Sequence, residues 1–204
     1  MIYRRPITNK LVCDFIPWQP STWPETPPII NQGFLDDFKT IIDTTVLAEI
    51  ENVIDDATSR NGDLQHRGHV VAIVLLCAVD VLSSYAFRDP TIDECSSCHR
   101  SDSVGPRYKN FIKTFFPDGY KPFADQIYGL YRNSMVHSWH LFKVGITPGN
   151  DPLVSIGDIM QFGLINFYEA LRFSTEEFLG KVAADPDFQR NVLKRYQELR
   201  DSAR

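Results

Sequence analysis

The sequence predicts an all-α fold, a helical bundle of about five or six helices with a small β-hairpin. Three observations carry this. From Gly33 onward the apolar residues Phe34, Leu35, Phe38, Ile41, Ile42, Leu47, Ile50, Val53 and Ile54 recur at helical spacing. Residues 69–87, HVVAIVLLCAVDVLSSYAF, are apolar nearly all round, the pattern of a helix at the centre of a bundle. Hairpin chemistry occurs at one place, where LFKVGI and PLVSIG flank Thr147, Pro148, Gly149, Asn150 and Asp151.

The elements follow in order. Residues 1–32 carry Pro6, Pro20, Pro24, Pro27 and Pro28 together with Trp18 and Trp23. Proline at this density blocks helix and central strand. This stretch reads as an extended arm that lies across the body with its tryptophans as anchors, ahead of a helical domain over 33–204. The first helix runs from Gly33 to the Asn61-Gly62 pair, which ends it. A second helix spans about Gly68 to Phe87 and stops at Asp89-Pro90. Residues 88–106 form a polar loop. A short helix covers Tyr108 to Phe116 and closes at Pro117-Asp118-Gly119. A longer one follows from Lys121 to about Trp139, then the hairpin, then an amphipathic helix from Asp158 to about Ala183. Asp185-Pro186 separates this from a last, charged helix over Asp187 to Arg200.

Composition excludes several classes. The chain has 204 residues, enough to bury a core without staples. Its formal charge is −5, which argues against a protein that coats nucleic acid through its overall field. The longest apolar run, Val70 to Val79, is too short to span a bilayer, and no apolar segment follows the basic N-terminus. The expectation is a cytoplasmic protein with no membrane partner and reduced cysteines.

Two constellations carry chemistry. Cys95-Ser96-Ser97-Cys98-His99 matches the pattern of covalent haem attachment, and it also supplies three zinc-ligand types. Haem attachment needs export, for which no signal is visible. Cys13 and Cys77 lie far away in sequence, so a fourth zinc ligand at suitable spacing is missing. A polar loop with free thiols accounts for the motif, and no cofactor or metal is expected.

The second constellation is Tyr131-Arg132-Asn133-Ser134-Met135-Val136-His137-Ser138-Trp139-His140. Between Arg100 and Lys143 stand seven basic residues, Arg100, Arg107, Lys109, Lys113, Lys121, Arg132 and Lys143, against Asp102, Asp118 and Asp125. The stretch is +4 and the rest of the chain −9. An acidic protein thus places its basic charge beside His137 and His140, as an anion or phosphate site requires. At about 100° per residue, Asn133 and His137 share a helix face, whereas Arg132 and His137 point about 140° apart. One regular helix does not close both on a single small ligand. They meet around a large ligand, at a distorted helix end, or across a dimer interface.

Arg132 to His137 resembles the R-x4-6-H motif of HEPN-domain proteins, with a polar residue directly after the arginine and the motif placed late in an all-helical domain. The resemblance covers about residues 33–200. It implies an all-α domain that dimerises, with motifs from two protomers lining one cleft. It also implies either a metal-independent endoribonuclease, a hydrolase of the toxin or defence kind, or a non-catalytic module that binds RNA, nucleotide or protein. One branch of HEPN toxins, paired with nucleotidyltransferase antitoxins, carries tyrosine two residues after the histidine. This chain carries Trp139 there, so the resemblance does not extend to adenylylation control. On the catalytic reading, His137 transfers protons near neutrality, Arg132 grips phosphate oxygens, and Asn133 orients the histidine or the ribose. His140, Tyr131 and Lys143 are the expected substrate contacts, with RNA, a second copy of the chain, and an antitoxin or other protein as the partners implied.

Overall fold

The computed structural model describes residues 31–59, 68–87, 104–130, 144–147, 153–156 and 159–202. Residues 1–30 of the arm expected over 1–32 lie outside these, as do residues 88–103 of the polar loop expected over 88–106 and residues 131–143. Residues 104–107 are helical, so the short helix starts ahead of Tyr108.

The first helix is built from α1 (Gln32–Ile41), a π-helical turn (Ile42–Leu47) and α2 (Ala48–Ser59), joined without a break in helical backbone. Asn31 starts it, its side-chain oxygen accepting the Phe34 N–H at 2.9 Å. The helix widens where threonines cluster. The Thr44 and Thr45 hydroxyls donate to the carbonyls of Thr40 and Ile41 at 2.7 and 2.6 Å, competing with the backbone donors that would otherwise close a regular turn.

The apolar segment forms α3 (Gly68–Ala86). Leu75, Leu76, Val79, Leu82 and Ala86 are fully buried, so the expectation of a central helix holds along most of its length. It packs on α4 (Val104–Phe115), on α6 (Leu164–Ala184) and on α7 (Pro186–Ser202). Between α4 and α6 the chain passes a 3-10 turn (Lys121–Phe123) and a short α5 (Ala124–Gly129). The helix expected from Lys121 therefore begins with a tight turn, because Pro122 sits in its first residues and supplies no N–H. At Asp185 the chain breaks as the Asp-Pro pair predicts. The Asp185 carboxylate accepts the Asp187 N–H at 2.9 Å and Pro186 opens α7.

Aromatic rings fasten these helices. Phe178 of α6 lies within 6.4 Å, centroid to centroid, of Phe38, Phe111, Phe115 and Phe188, which come from α1, α4 and α7. A second group, Phe116, Tyr120 and Phe167, closes the turn after α4 against the start of α6. Edge-on geometry prevails in both, which aligns ring hydrogens with facing π clouds.

The small sheet is present but its hairpin is one strand later than the turn residues suggest. β1 (Val144–Thr147) pairs in parallel with β3 (Ile159–Gly163), and β2 (Val154–Ile156) pairs antiparallel with β3, giving the order β1-β3-β2. The two strands that flank Thr147 to Asp151 do not pair with each other. They sit on either side of a third, whose residues were expected to open the following helix. That helix starts instead at Leu164. The apolar spacing of Ile159, Met160 and Phe162 fits a strand as well as a first helical turn, and pairing on both edges decides for the strand. No helix among the described residues is long and apolar enough to cross a membrane.

Candidate functional site

Tyr131, Arg132, Asn133, His137, His140 and Lys143 all lie outside the described residues, as do Cys13, Cys95, Cys98 and His99. The structure fixes what stands on either side of the Arg–His segment. Its entry is α5. Leu130 is buried, with helical backbone angles, and its N–H points to the carbonyls of Gln126 and Ile127. Tyr128 on the same short helix packs on Tyr108 with centroids 5.5 Å apart, and it leans so close to Gly105 that a Cβ there would meet its ring at 3.1 Å. Its exit is β1. Ile146 approaches Gly68, the first residue of α3. The segment is therefore anchored at one end to the start of α4 and at the other to the start of α3.

The folded chain redistributes the basic charge that surrounds this segment. Arg107 pairs with Asp80 of α3 at 3.0 Å, and both groups are largely buried. Lys109 and Lys113 converge on Asp125 at 2.9 and 3.5 Å. Lys121 pairs with Asp118 at 2.7 Å. The hydrogen bond from Lys109 is the main reason the Asp125 carboxyl is held below its usual range, and that from Lys121 does the same for Asp118. All four basic residues of the stretch that are described face a carboxylate, and one of those carboxylates comes from outside the stretch. With Asp80 counted, these described pairs keep a single excess positive charge, because two lysines share Asp125, while Arg132 and Lys143 add two more in and beside the motif.

Asp80 and Arg107 belong to a polar seam that sequence reasoning missed. Arg195 of α7 reaches the same region. Burial is the largest influence lowering its pKa, and Arg107 adds repulsion, while Tyr85 and Asp80 act the other way. Asn191 of α7 donates to the Ala86 carbonyl at 2.8 Å, tying down the end of α3. Arg107 and Arg195, the latter also 3.6 Å from Glu198, bring two guanidiniums near Asp80, an arrangement that resembles an anion site. Asp80 already occupies the position an anion would take, and the seam links α3, α4 and α7. The signal was available: an aspartate inside an otherwise apolar helix needs a cation. Its distance in sequence from Arg107 concealed which one.

Cys77 is a free, half-buried thiol, and burial followed by the Asp80 charge pushes its pKa up, away from nucleophilic use. Among the described residues no group of three or more His, Cys, Asp or Glu side chains is placed to hold a metal ion. A scan of protein-family models, a search of curated proteins and a search of solved structures each return no match to this chain.

Proposed function

We propose that this chain is a HEPN-like, metal-independent endoribonuclease in which Arg132 and His137 act at a cleft between two copies. The observation that carries the reading is the Arg132-Asn133 to His137 motif in the most basic stretch of an acidic chain. The helical fold supports it. So does the pairing of Arg107, Lys109, Lys113 and Lys121, because it leaves Arg132 and its neighbours as the natural source of charge for a phosphate.

The chemistry requires two proton transfers and one cation. A neutral His137 takes the proton of a ribose 2′-hydroxyl as its oxygen attacks phosphorus. The bond from phosphorus to the 5′-oxygen breaks, and that oxygen takes a proton from the protonated His137 of the second copy. The products are a 2′,3′-cyclic phosphate and a 5′-hydroxyl. Arg132 stays charged throughout and binds the oxygens on which negative charge accumulates. Asn133, four residues before His137, orients the ring. Tyr131, His140 and Lys143 contact flanking nucleotides.

The test is cleavage of single-stranded RNA in EDTA. The expected outcome is cyclic-phosphate ends, with activity lost in His137→Ala and Arg132→Ala. Intact RNA at high concentration of purified dimer sinks the reading. The net charge of −5 favours one second reading, a non-catalytic RNA-, nucleotide- or protein-binding module. Retained RNA binding without cleavage, weakened by Arg132→Ala and unaffected by His137→Ala, is its signature.

A further inference from the structure

We propose that the N-terminal arm folds back within its own chain and seats Trp18 in the groove beside Phe173. The groove has a volume of about 410 Å³ and is walled largely by apolar groups of Pro117, Tyr120, Leu153, Ala170 and Phe173. That size suits an indole with its flanking backbone, since sites for small organic groups run from roughly 300 to 1,000 Å³. Phe173 is 47% exposed, and Val70 and Val81 are the other large apolar side chains left exposed among the described residues. A half-exposed phenylalanine beside a concave apolar wall is a surface in need of a cover.

Chain length selects the occupant. The first helix runs opposite to α6. Phe38 sits 6.3 Å from Phe178, while Glu51 and Asp55, further along, act electrostatically on Tyr168. The start of the helix at Asn31 therefore points away from the groove. At about 1.5 Å of rise per residue, Asn31 lies roughly 22 Å along the axis from the level of Ala170. The path must also pass around a helix about 10 Å across. An arm in polyproline conformation advances about 3.1 Å per residue, which gives Trp23 a reach of roughly 25 Å and Trp18 roughly 40 Å. Trp23 falls short once the path curves, and Trp18 arrives with slack.

The chemistry of the arm agrees. Residues 15–24, FIPWQPSTWP, carry no charged side chain. Pro17 and Pro20 on either side of Trp18 remove backbone donors that an apolar wall would leave unsatisfied. Asn166 and Glu169 line the same groove, and each carries a side-chain oxygen of the kind that accepts an indole N–H.

The experiment uses the full chain with Trp23→Phe and Trp139→Phe, so that Trp18 is the sole tryptophan. The expected result is blue-shifted emission and severalfold slower acrylamide quenching than in the urea-unfolded chain. Phe173→Glu should shift the emission to the red and restore quenching without altering the far-ultraviolet circular dichroism. Phe173→Ala should do the same by a smaller amount and without adding charge. Emission typical of exposed tryptophan in the parent, or emission unmoved by either substitution, overturns the proposal. So does protection that disappears on dilution, which would place the arm of a second copy in the groove.

Discussion

Phe178 and Asp80 stand in two regions that bind the same helices by opposite means. Around Phe178, rings from α1, α4, α6 and α7 interlock edge to face. Along α3, Asp80 faces the guanidiniums of Arg107 from α4 and Arg195 from α7, and the Ala86 carbonyl accepts from Asn191 of α7. The aromatic region gains from every ring it buries, and its cost of assembly is conformational entropy alone. The polar seam must first strip water from charges, so its net return is smaller, while the loss of one member leaves another stranded. The two regions therefore differ both in how much they stabilise and in how they fail.

The largest effect should come from the rings. Phe178→Ala removes a fully buried side chain at the junction of four helices, and a loss of about 3–5 kcal/mol is expected. Urea unfolding of parent and variant measures it through the shift in midpoint. A loss below about 1 kcal/mol would mean that the region collapses easily around the gap, and the contrast with the seam would lose its basis.

The seam should respond less to removal and differently to replacement. Asp80→Ala leaves Arg107 poorly solvated and without its partner, at a cost of about 1–3 kcal/mol. Replacing both, as Asp80→Leu with Arg107→Met, should recover most of that loss, because the desolvation penalty leaves with the charges. A double-mutant cycle across the parent, Asp80→Leu, Arg107→Met and the double variant reads the coupling directly. Additive losses would show that Asp80 and Arg107 act independently, and the seam would not be a unit.

The same contrast explains what was legible in the sequence. Phe34, Phe38, Ile50 and Ile54 announce their buried face through spacing within one helix, and the apolar run over 70–79 announces a central one. Helical periodicity is local, so a single segment suffices to show it. The partnership of Asp80 with Arg107 is not local. Arg107 was counted as one more positive charge near an anion site, and only the packing of α4 on α3 reassigns it. The sheet follows the same rule. The turn residues after Thr147 marked a reversal correctly, but they do not tell which strand lies next to which, and β3 resembled a helical first turn. For the Arg–His segment, which lies outside the described residues, spacing offers candidate residues and would point Arg132 and His137 about 140° apart on a regular helix. On the proposed reading a second copy completes the site, and one chain's periodicity does not encode a partner.

An exposed ion pair completes the series from buried ring to buried charge to surface charge. Asp125 of α5 accepts from Lys109 and Lys113 of α4, with its own side chain and that of Lys113 exposed and that of Lys109 partly covered. Its lowered carboxyl pKa means that whatever stability the pairing adds is present above the unfolded value and fades as pH falls through the folded one. Solvent screens such a pair so well that Asp125→Asn should leave the urea midpoint at neutral pH unchanged within error. Its consequence lies elsewhere. The substitution releases two lysines in the stretch that precedes the Arg–His motif, and it adds one unit of positive charge. If RNA is bound there, affinity should rise at low salt, and the dependence of log affinity on log salt should steepen by about one as a released lysine engages phosphate. Filter binding across a salt series measures both. Unchanged affinity together with an unchanged slope would show that the face of α4 carrying Lys109 and Lys113 lies away from the nucleic acid. The phosphate contacts would then have to come from the motif segment itself, and the paired lysines would serve only to keep α4 and α5 soluble.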